Sequence, residues 1–278
     1  FFFHSNMQSI VECYSHPFED YSLDVFELDS CTEGRPLQWV GLSLFQYYHF
    51  IEEFHIPLEQ LQNFLKEIEE LYHKDNPYHN SIHAADVAWN VHIFLSKSQL
   101  TSTFSKLQQF SCILAALIHD CDHPGVSNSF LISANDPLAI LHNDQSVLEN
   151  HHVSISFETA LKPNCNIFQG FTNPQYREMR KFVIDLVLGT DFSKHHQILG
   201  SIKELESRGW PLDNPEDIFT VALFALKCSD IGHGAKKFKL HEEWSHRVNE
   251  EFFCQGDKEK LLGIPITPDR DRNLVEIE

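Results

Sequence analysis

Residues 107–125 read LQQFSCILAALIHDCDHPG. Leu107, Phe110, Ile113, Leu114, Leu117 and Ile118 recur at three- and four-residue spacing, the period of an amphipathic helix. The apolar run Cys112–Ile118 stops on His119-Asp120. A polar pair ending a buried helix needs partners. The same period repeats on both sides. Leu58, Leu61, Phe64, Leu65, Ile68, Leu71 and Tyr72 carry it upstream, and Met179, Phe182, Val183, Leu186 and Val187 downstream. Asn214-Pro215-Glu216-Asp217 predicts a helix start: a capping Asn, Pro at the first helical position, then acids near the positive end of the dipole. That helix runs through Phe219, Ala222, Leu223 and Leu226 towards Asp230. Trp244, Val248 and Phe252 predict the apolar stripe of a further helix. Residues 1–36 read as loop-rich, and Arg208-Gly209-Trp210-Pro211 as a loop. Sustained strand alternation, glycine-rich phosphate loops and internal repeats are all missing from the sequence. The chain therefore reads as all-α, one helical domain over 1–278.

Charge and composition exclude several functions. Over 278 residues, 21 Lys and Arg face 40 Asp and Glu, a net charge of −19. Gripping nucleic acid or an anionic membrane face needs a basic surface. With 42% apolar and 12% aromatic residues the chain can bury a core, unlike a disordered acidic tail. Its 18 histidines nearly equal all Lys and Arg together, and histidine is the commonest metal ligand and the usual general acid or base. The seven cysteines form no CxxC pair, which argues against a zinc knuckle or a thioredoxin-like site. Cys112 and Cys228 fall in apolar helical runs and read as small core residues. A reducing, intracellular compartment, the cytoplasm, is expected. No apolar run is long enough to span a bilayer, and no signal peptide is visible. The chain opens on Phe1-Phe2-Phe3 and reads as a fragment of something longer.

Four separated segments are rich in metal-ligand types. The first is Tyr78–Val87, YHNSIHAADV, where His79 and His83 would share one helix face at i, i+4. The second is His119-Asp120 with Cys121-Asp122-His123. The third is Glu149-Asn150-His151-His152, and the fourth is Asp230. Each alone reads equally well as a solvated face or a satisfied core histidine. Together, the His, His, Asp, Asp set suits zinc, with magnesium or manganese on a bridging carboxylate and waters. Two such metals, about 3.5–4 Å apart, serve phosphoryl-ester hydrolysis by activating water and stabilising charge on phosphate oxygens.

YHNSIHAADV, HDCDHPGVSN, NDQSVLENHH, LVLGTDFSKH, CSDIGH and EEFFCQGDKEK, in this order, resemble the signatures of class I cyclic nucleotide phosphodiesterases. The resemblance runs from about Asp24 to the end. It implies an all-α, HD-type catalytic domain, with 1–23 as a lead-in and 24–278 as the metal-dependent core. It implies hydrolysis of the 3′ ester of cAMP or cGMP to the 5′-monophosphate by a two-metal site with a bridging hydroxide. His83, His119, Asp120 and Asp230 match the ligands of the tighter metal, Zn2+. Asp120 would bridge to the second, Mg2+ or Mn2+, whose waters His123, Glu149 and Thr190 would hold. His79 matches the general acid that protonates O3′, and Glu251 the carboxylate that supports it. Tyr78, His233, Val248 and Phe252 are implied to touch the nucleotide, and His233 to give a cGMP-tolerant pocket. The purine-fixing Gln, a facing Phe and the last helices are implied beyond Glu278, and regulatory domains outside this stretch. Two other readings are an HD-type phosphohydrolase of another nucleotide and a non-catalytic nucleotide-binding relative. The latter should lack a ligand or the general acid, and this chain lacks neither.

Overall fold

Helices form where a cap and an apolar stripe coincide. The computed structural model describes residues 21, 23–98 and 100–274. Among them are fourteen α-helices, two 3-10 turns and no strand, as the periodicity predicts. The first seven helices are α1 Val25–Cys31, α2 Pro36–Tyr47, α3 Phe50–Glu53, α4 Leu58–Leu71, α5 Ser81–Lys97, α6 Leu100–Thr103 and α7 Lys106–Ile118. The second seven are α8 Asn128–Ser133, α9 Pro137–Leu141, α10 Val147–Ala160, α11 Asn173–Gly189, α12 His195–Ser207, α13 Pro215–Asp230 and α14 Phe238–Leu262.

The helix of the opening quotation is the centre of the molecule. Ser105 and Gln108 close a capping box at its start, which satisfies two otherwise orphaned N–H groups. From Gln109 to Ile118 every residue of α7 is buried. It packs between α5 and α11. Helix α5 is buried almost all round and lies against α2, α7 and α13. One apolar cluster joins residues from Leu23 to Trp244, and a smaller one gathers Val126, Phe130, Leu131, Ala139, Val147 and Leu148. Beneath the larger cluster, Lys236 and Asp86 form a buried ion pair that ties α5 to the segment entering α14. Removing one partner of such a pair costs about 3–5 kcal/mol.

Four expectations need correction. Residues 1–36 are not all loop, since α1 stands at Val25–Cys31 with Asp24 accepting from Phe26 N and Glu27 N. Only Val25 and Leu28 of α1 are buried, too few to show a period. His79 does not share a helix with His83. Asn80 is the N-cap of α5, in extended backbone, accepting from Ile82 N and His83 N, so His79 precedes the helix. Cys228 is half-buried and outside the core, whereas Cys112 is buried. Finally, the predicted stripe of α14 leaves the core along its length: Trp244 is 0% exposed, Val248 packs half-buried against the main cluster, and Phe252 is 36% exposed. The remainder of residues 1–36, before Tyr21, lies outside the described residues.

Candidate active site

The helix ends of α7 and α13 converge at the floor of a cavity of about 660 Å³. His119 is the C-cap of α7 and Asp230 the last residue of α13. Helix C-termini carry partial negative charge and favour cations. His83, from the first turn of α5, and Asp120 complete the group, and one ligand atom from each of the four lies within 4.8 Å of the others.

The donor geometry fits a metal ion. His119 Nδ1 donates to Ala116 O at 2.9 Å, which fixes the ring and leaves Nε2 as the atom that faces the other three residues. That Nε2 faces His83 Nε2 at 3.3 Å. Two nitrogens on a tetrahedral zinc with bonds of about 2.0–2.1 Å stand about 3.3–3.4 Å apart. Asp120 Oδ2 lies 3.1 Å from His119 Nε2 and 3.4 Å from His83 Nε2. Asp230 Oδ1 lies 3.4 Å and 3.2 Å from the same two atoms. Burial alone would raise the Asp120 carboxyl, but His119 and His79 outweigh it and hold it well below its usual range. Asp230 is lowered likewise, burial being outweighed by hydrogen bonds from His119 and His83. Two ionised carboxylates around two almost fully buried imidazoles are a cation site by charge and by softness.

Beside this floor stands a second polar unit. Glu251 of α14 accepts from Tyr78 N and His79 N at Oε2, both at 3.0 Å. Its Oε1 takes a short hydrogen bond from His79 Nδ1. His79 Nε2 lies 3.9 Å from Asp120 Oδ2, on the side of the metal-ligand group. Burial works to lower His79, yet Glu251 and then Asp120 raise its pKa to about 9. Glu251 itself is lowered: burial opposes ionisation, and His79 overcomes it. His123 stacks on His79 with ring centroids 3.9 Å apart. Burial and then the charge of His79 hold His123 well below the usual imidazole range, and its Nδ1 accepts from Gly125 N. A protonated imidazole therefore lies against a neutral one.

The remaining predicted residues surround these two units. Glu149 accepts from Asn128 Nδ2 and is pushed up to about 7, chiefly by burial. Thr190 caps α11, and its carbonyl accepts from Lys227 Nζ at 3.1 Å. Tyr78 packs its ring 4.6 Å from that of His83. His233, Val248 and Phe252 line the cavity, and His233 Nδ1 shares a hydrogen bond with His241 Nδ1 at 3.1 Å. All thirteen predicted site residues except His83 and His119 line the cavity, and those two lie beneath it against Asp120 and Asp230. Sequence reasoning missed Lys227, Gln255 and Arg270, which also line it. Lys227 had a signal, a lysine inside the apolar run of α13. Arg270 had none.

Among the described residues, an all-helical fold with a metal-ligand cluster of His and Asp beside a carboxylate-held histidine defines a metallohydrolase-type site. Residues 78–278 match the 3'5'-cyclic nucleotide phosphodiesterase family, and the chain belongs to that family. It is 40% identical over 265 residues to 3',5'-cyclic-AMP phosphodiesterase 4C of Mus musculus, covering 93% of this chain and 39% of that protein. The Rattus norvegicus protein of the same name is also 40% identical over 265 residues, with 93% of this chain and 49% of that one covered. The chain thus spans less than half the length of these curated relatives. The crystal structure of the phosphodiesterase domain of Salpingoeca rosetta rhodopsin phosphodiesterase superposes with a TM-score of 0.86 at 31% identity, covering 93% of this chain and 78% of that one.

Proposed function

We propose that the protein hydrolyses the 3′ ester of a 3′,5′-cyclic nucleotide, cAMP or cGMP, to the 5′-monophosphate. The observation that carries this is the His79–Glu251 pair standing beside the His83, His119, Asp120 and Asp230 group in one cavity. His83, His119, Asp120 and Asp230 would hold Zn2+. The cavity-facing side of Asp120, with His123, Glu149 and Thr190 around its waters, would hold Mg2+ or Mn2+. Oxygen-rich, hydrated surroundings suit the harder cation and imidazoles the softer one. When bound, these ions supply Lewis-acid stabilisation of the phosphate and activate water at neutral pH.

The chain's own residues manage the leaving group. Water oxygen adds to phosphorus and gives up one proton to solvent, the P–O3′ bond breaks, O3′ takes a proton from His79 Nε2, and His79 regains one from solvent. Three hydrogen bonds fix Glu251, and Glu251 fixes the tautomer and orientation of His79. With its pKa raised to about 9, His79 holds that proton at neutral pH, the state a general acid needs. Tyr78, His233, Val248 and Phe252 would bind the nucleoside. The free thiols of Cys112, Cys121, Cys165, Cys228 and Cys254 support an intracellular setting. Among the described residues no helix is long and apolar enough to cross a membrane.

The decisive experiment is metal analysis of the purified protein together with turnover of cAMP and cGMP. Bound zinc and magnesium-stimulated release of the 5′-monophosphate are expected. Protein that binds no zinc and turns over neither nucleotide with added magnesium overturns the assignment.

A further inference from the structure

Arg270 is an unusual cation in this molecule. Acids outnumber bases by 40 to 21 in the chain, and other arginines find them readily. Arg272 pairs with Glu250 and Asp257, Arg208 with Asp217 and Arg247 with Glu243. The Arg270 guanidinium makes no hydrogen bond or ion pair with any described residue. It lies instead 4.4 Å over the ring of Phe252, and both side chains line the cavity. An arginine stacked on an aromatic ring keeps its planar fork of N–H donors directed outward.

Arg270 is held in place by its backbone. The segment after α14 folds back along that helix. Thr267 N and Oγ1 both donate to the Glu259 carboxylate, and Gln255 bridges Glu259 to Ser127 N. A Cβ on Gly256 would stand 2.0 Å from the Arg270 carbonyl oxygen, so only glycine allows this close approach. Ile264 is anchored in the smaller apolar cluster. The guanidinium thus lies in the cavity against the aromatic ring of Phe252, one of the residues proposed to touch the nucleoside.

We infer that Arg270 is a specificity-determining residue whose guanidinium fork reads the edge of the purine and favours guanine over adenine. Guanine presents two adjacent acceptors, O6 and N7, that accept a bidentate pair from arginine. Adenine presents N7 beside an N6–H2 donor, and one arm of the fork then meets a donor. This rests on the proposed cyclic nucleotide phosphodiesterase activity, since it requires a purine in this cavity.

The test compares kcat/KM for cGMP and for cAMP in the metal-loaded protein, its Arg270→Ala variant and its Arg270→Lys variant. Melting temperature and metal content serve as folding controls. A bidentate contact discriminates by about five- to 150-fold, so Arg270→Ala should lower the cGMP to cAMP ratio of kcat/KM by about ten-fold. Arg270→Lys, which keeps the charge and loses the fork, should not restore it. An unchanged ratio in a folded Arg270→Ala variant overturns the inference. So does an equal loss on both nucleotides that Arg270→Lys repairs, which would assign the guanidinium to phosphate charge. Turnover of neither nucleotide by the unmodified, metal-loaded protein overturns the proposed activity instead, and the inference falls with it.

Discussion

The two ends of the cavity are built on different principles. At the floor, His83 and His119 are 2% and 0% exposed, and each of the four ligands sits at or beside a helix terminus. Their charges offset one another, and no side chain there can move without uncovering a buried charge. The far wall is one face of α14 plus the folded-back segment. Val248 and Arg270 are half-buried there, and Phe252 is 36% exposed. Apart from Glu251, which reaches across to His79, the side chains described there are not charge-locked across the cavity, and the backbone does the positioning through Gly256, Thr267 and Glu259. A rigid polar floor suits chemistry common to every substrate. An adaptable wall suits choosing among substrates.

The largest expected effects lie at the floor, where metal binding and proton transfer can be separated. Asp230→Ala removes a proposed ligand and leaves His83 and His119 facing an incomplete site. The variant should lose its tight metal on dialysis, read by elemental analysis, and its turnover should fall to that of metal-free protein. His79→Ala should keep its metal and lose about 10²–10⁴-fold in kcat, the usual value of a positioned general acid. If His79→Ala lost the metal as well, the floor and the His79–Glu251 pair would be one unit rather than two.

The same contrast explains what was legible in the sequence. The ligands of the floor are set by local rules: an apolar helix of period 3.6 must end, and its polar end must be partnered. His119, Asp120 and Asp230 were therefore marked as polar helix ends in need of partners, and their role as ligands came from the four segments together and the resemblance they carry. His79 was found in the right segment but put on the wrong element, because Asn80 caps α5 and the helix starts at Ser81, two residues past His79. The wall was poorly legible. Val248 and Phe252 have the spacing of core residues, and only packing shows that α14 turns that face to a cavity past Trp244. Arg270 owes its place to a glycine fourteen residues earlier, a non-local contact that no period announces. The short helices α1, α3, α6, α8 and α9 escaped for a related reason, since one or two turns bury too few side chains to display a repeat.

Glu251 belongs to α14 yet reaches the floor, so it measures how strongly the two ends are joined. Its partner His79 has a folded-state pKa raised from 6.5 to about 9. The folded protein therefore binds this proton more tightly than the unfolded chain. The resulting stability is fully present below 6.5, the ordinary value, and is lost as pH rises through about 9. Glu251 has the opposite sign: its depressed pKa gives stability above its ordinary 4.5 that is lost as pH falls. Melting of metal-free protein should thus show the greatest gap between the native protein and Glu251→Gln between pH 4.5 and 6.5. The gap should narrow steadily as pH rises through about 9. A gap that stayed constant with pH would mean that Glu251 contributes packing and not a charge partner.

The smallest effect should come from the wall, through Gly256→Ala. The added methyl would meet the Arg270 carbonyl oxygen at 2.0 Å, a distance no backbone atom tolerates. Helix α14 is fixed by Trp244 and Glu251, so the folded-back segment must give way instead. Overpacking of this kind costs about 1–3 kcal/mol in a core. Here the lower end is expected, because the segment is half-exposed and can move outward. The Thr267 to Glu259 hydrogen bonds would lengthen, and Arg270 would leave its place over Phe252. Metal content should not change, since none of the four proposed ligands belongs to residues 264–274. The cGMP to cAMP ratio should shift in the same direction as in Arg270→Ala and by no more. If Gly256→Ala instead released the metal, the wall would be a structural part of the floor. The division between a fixed catalytic end and an adaptable recognition end would then be lost.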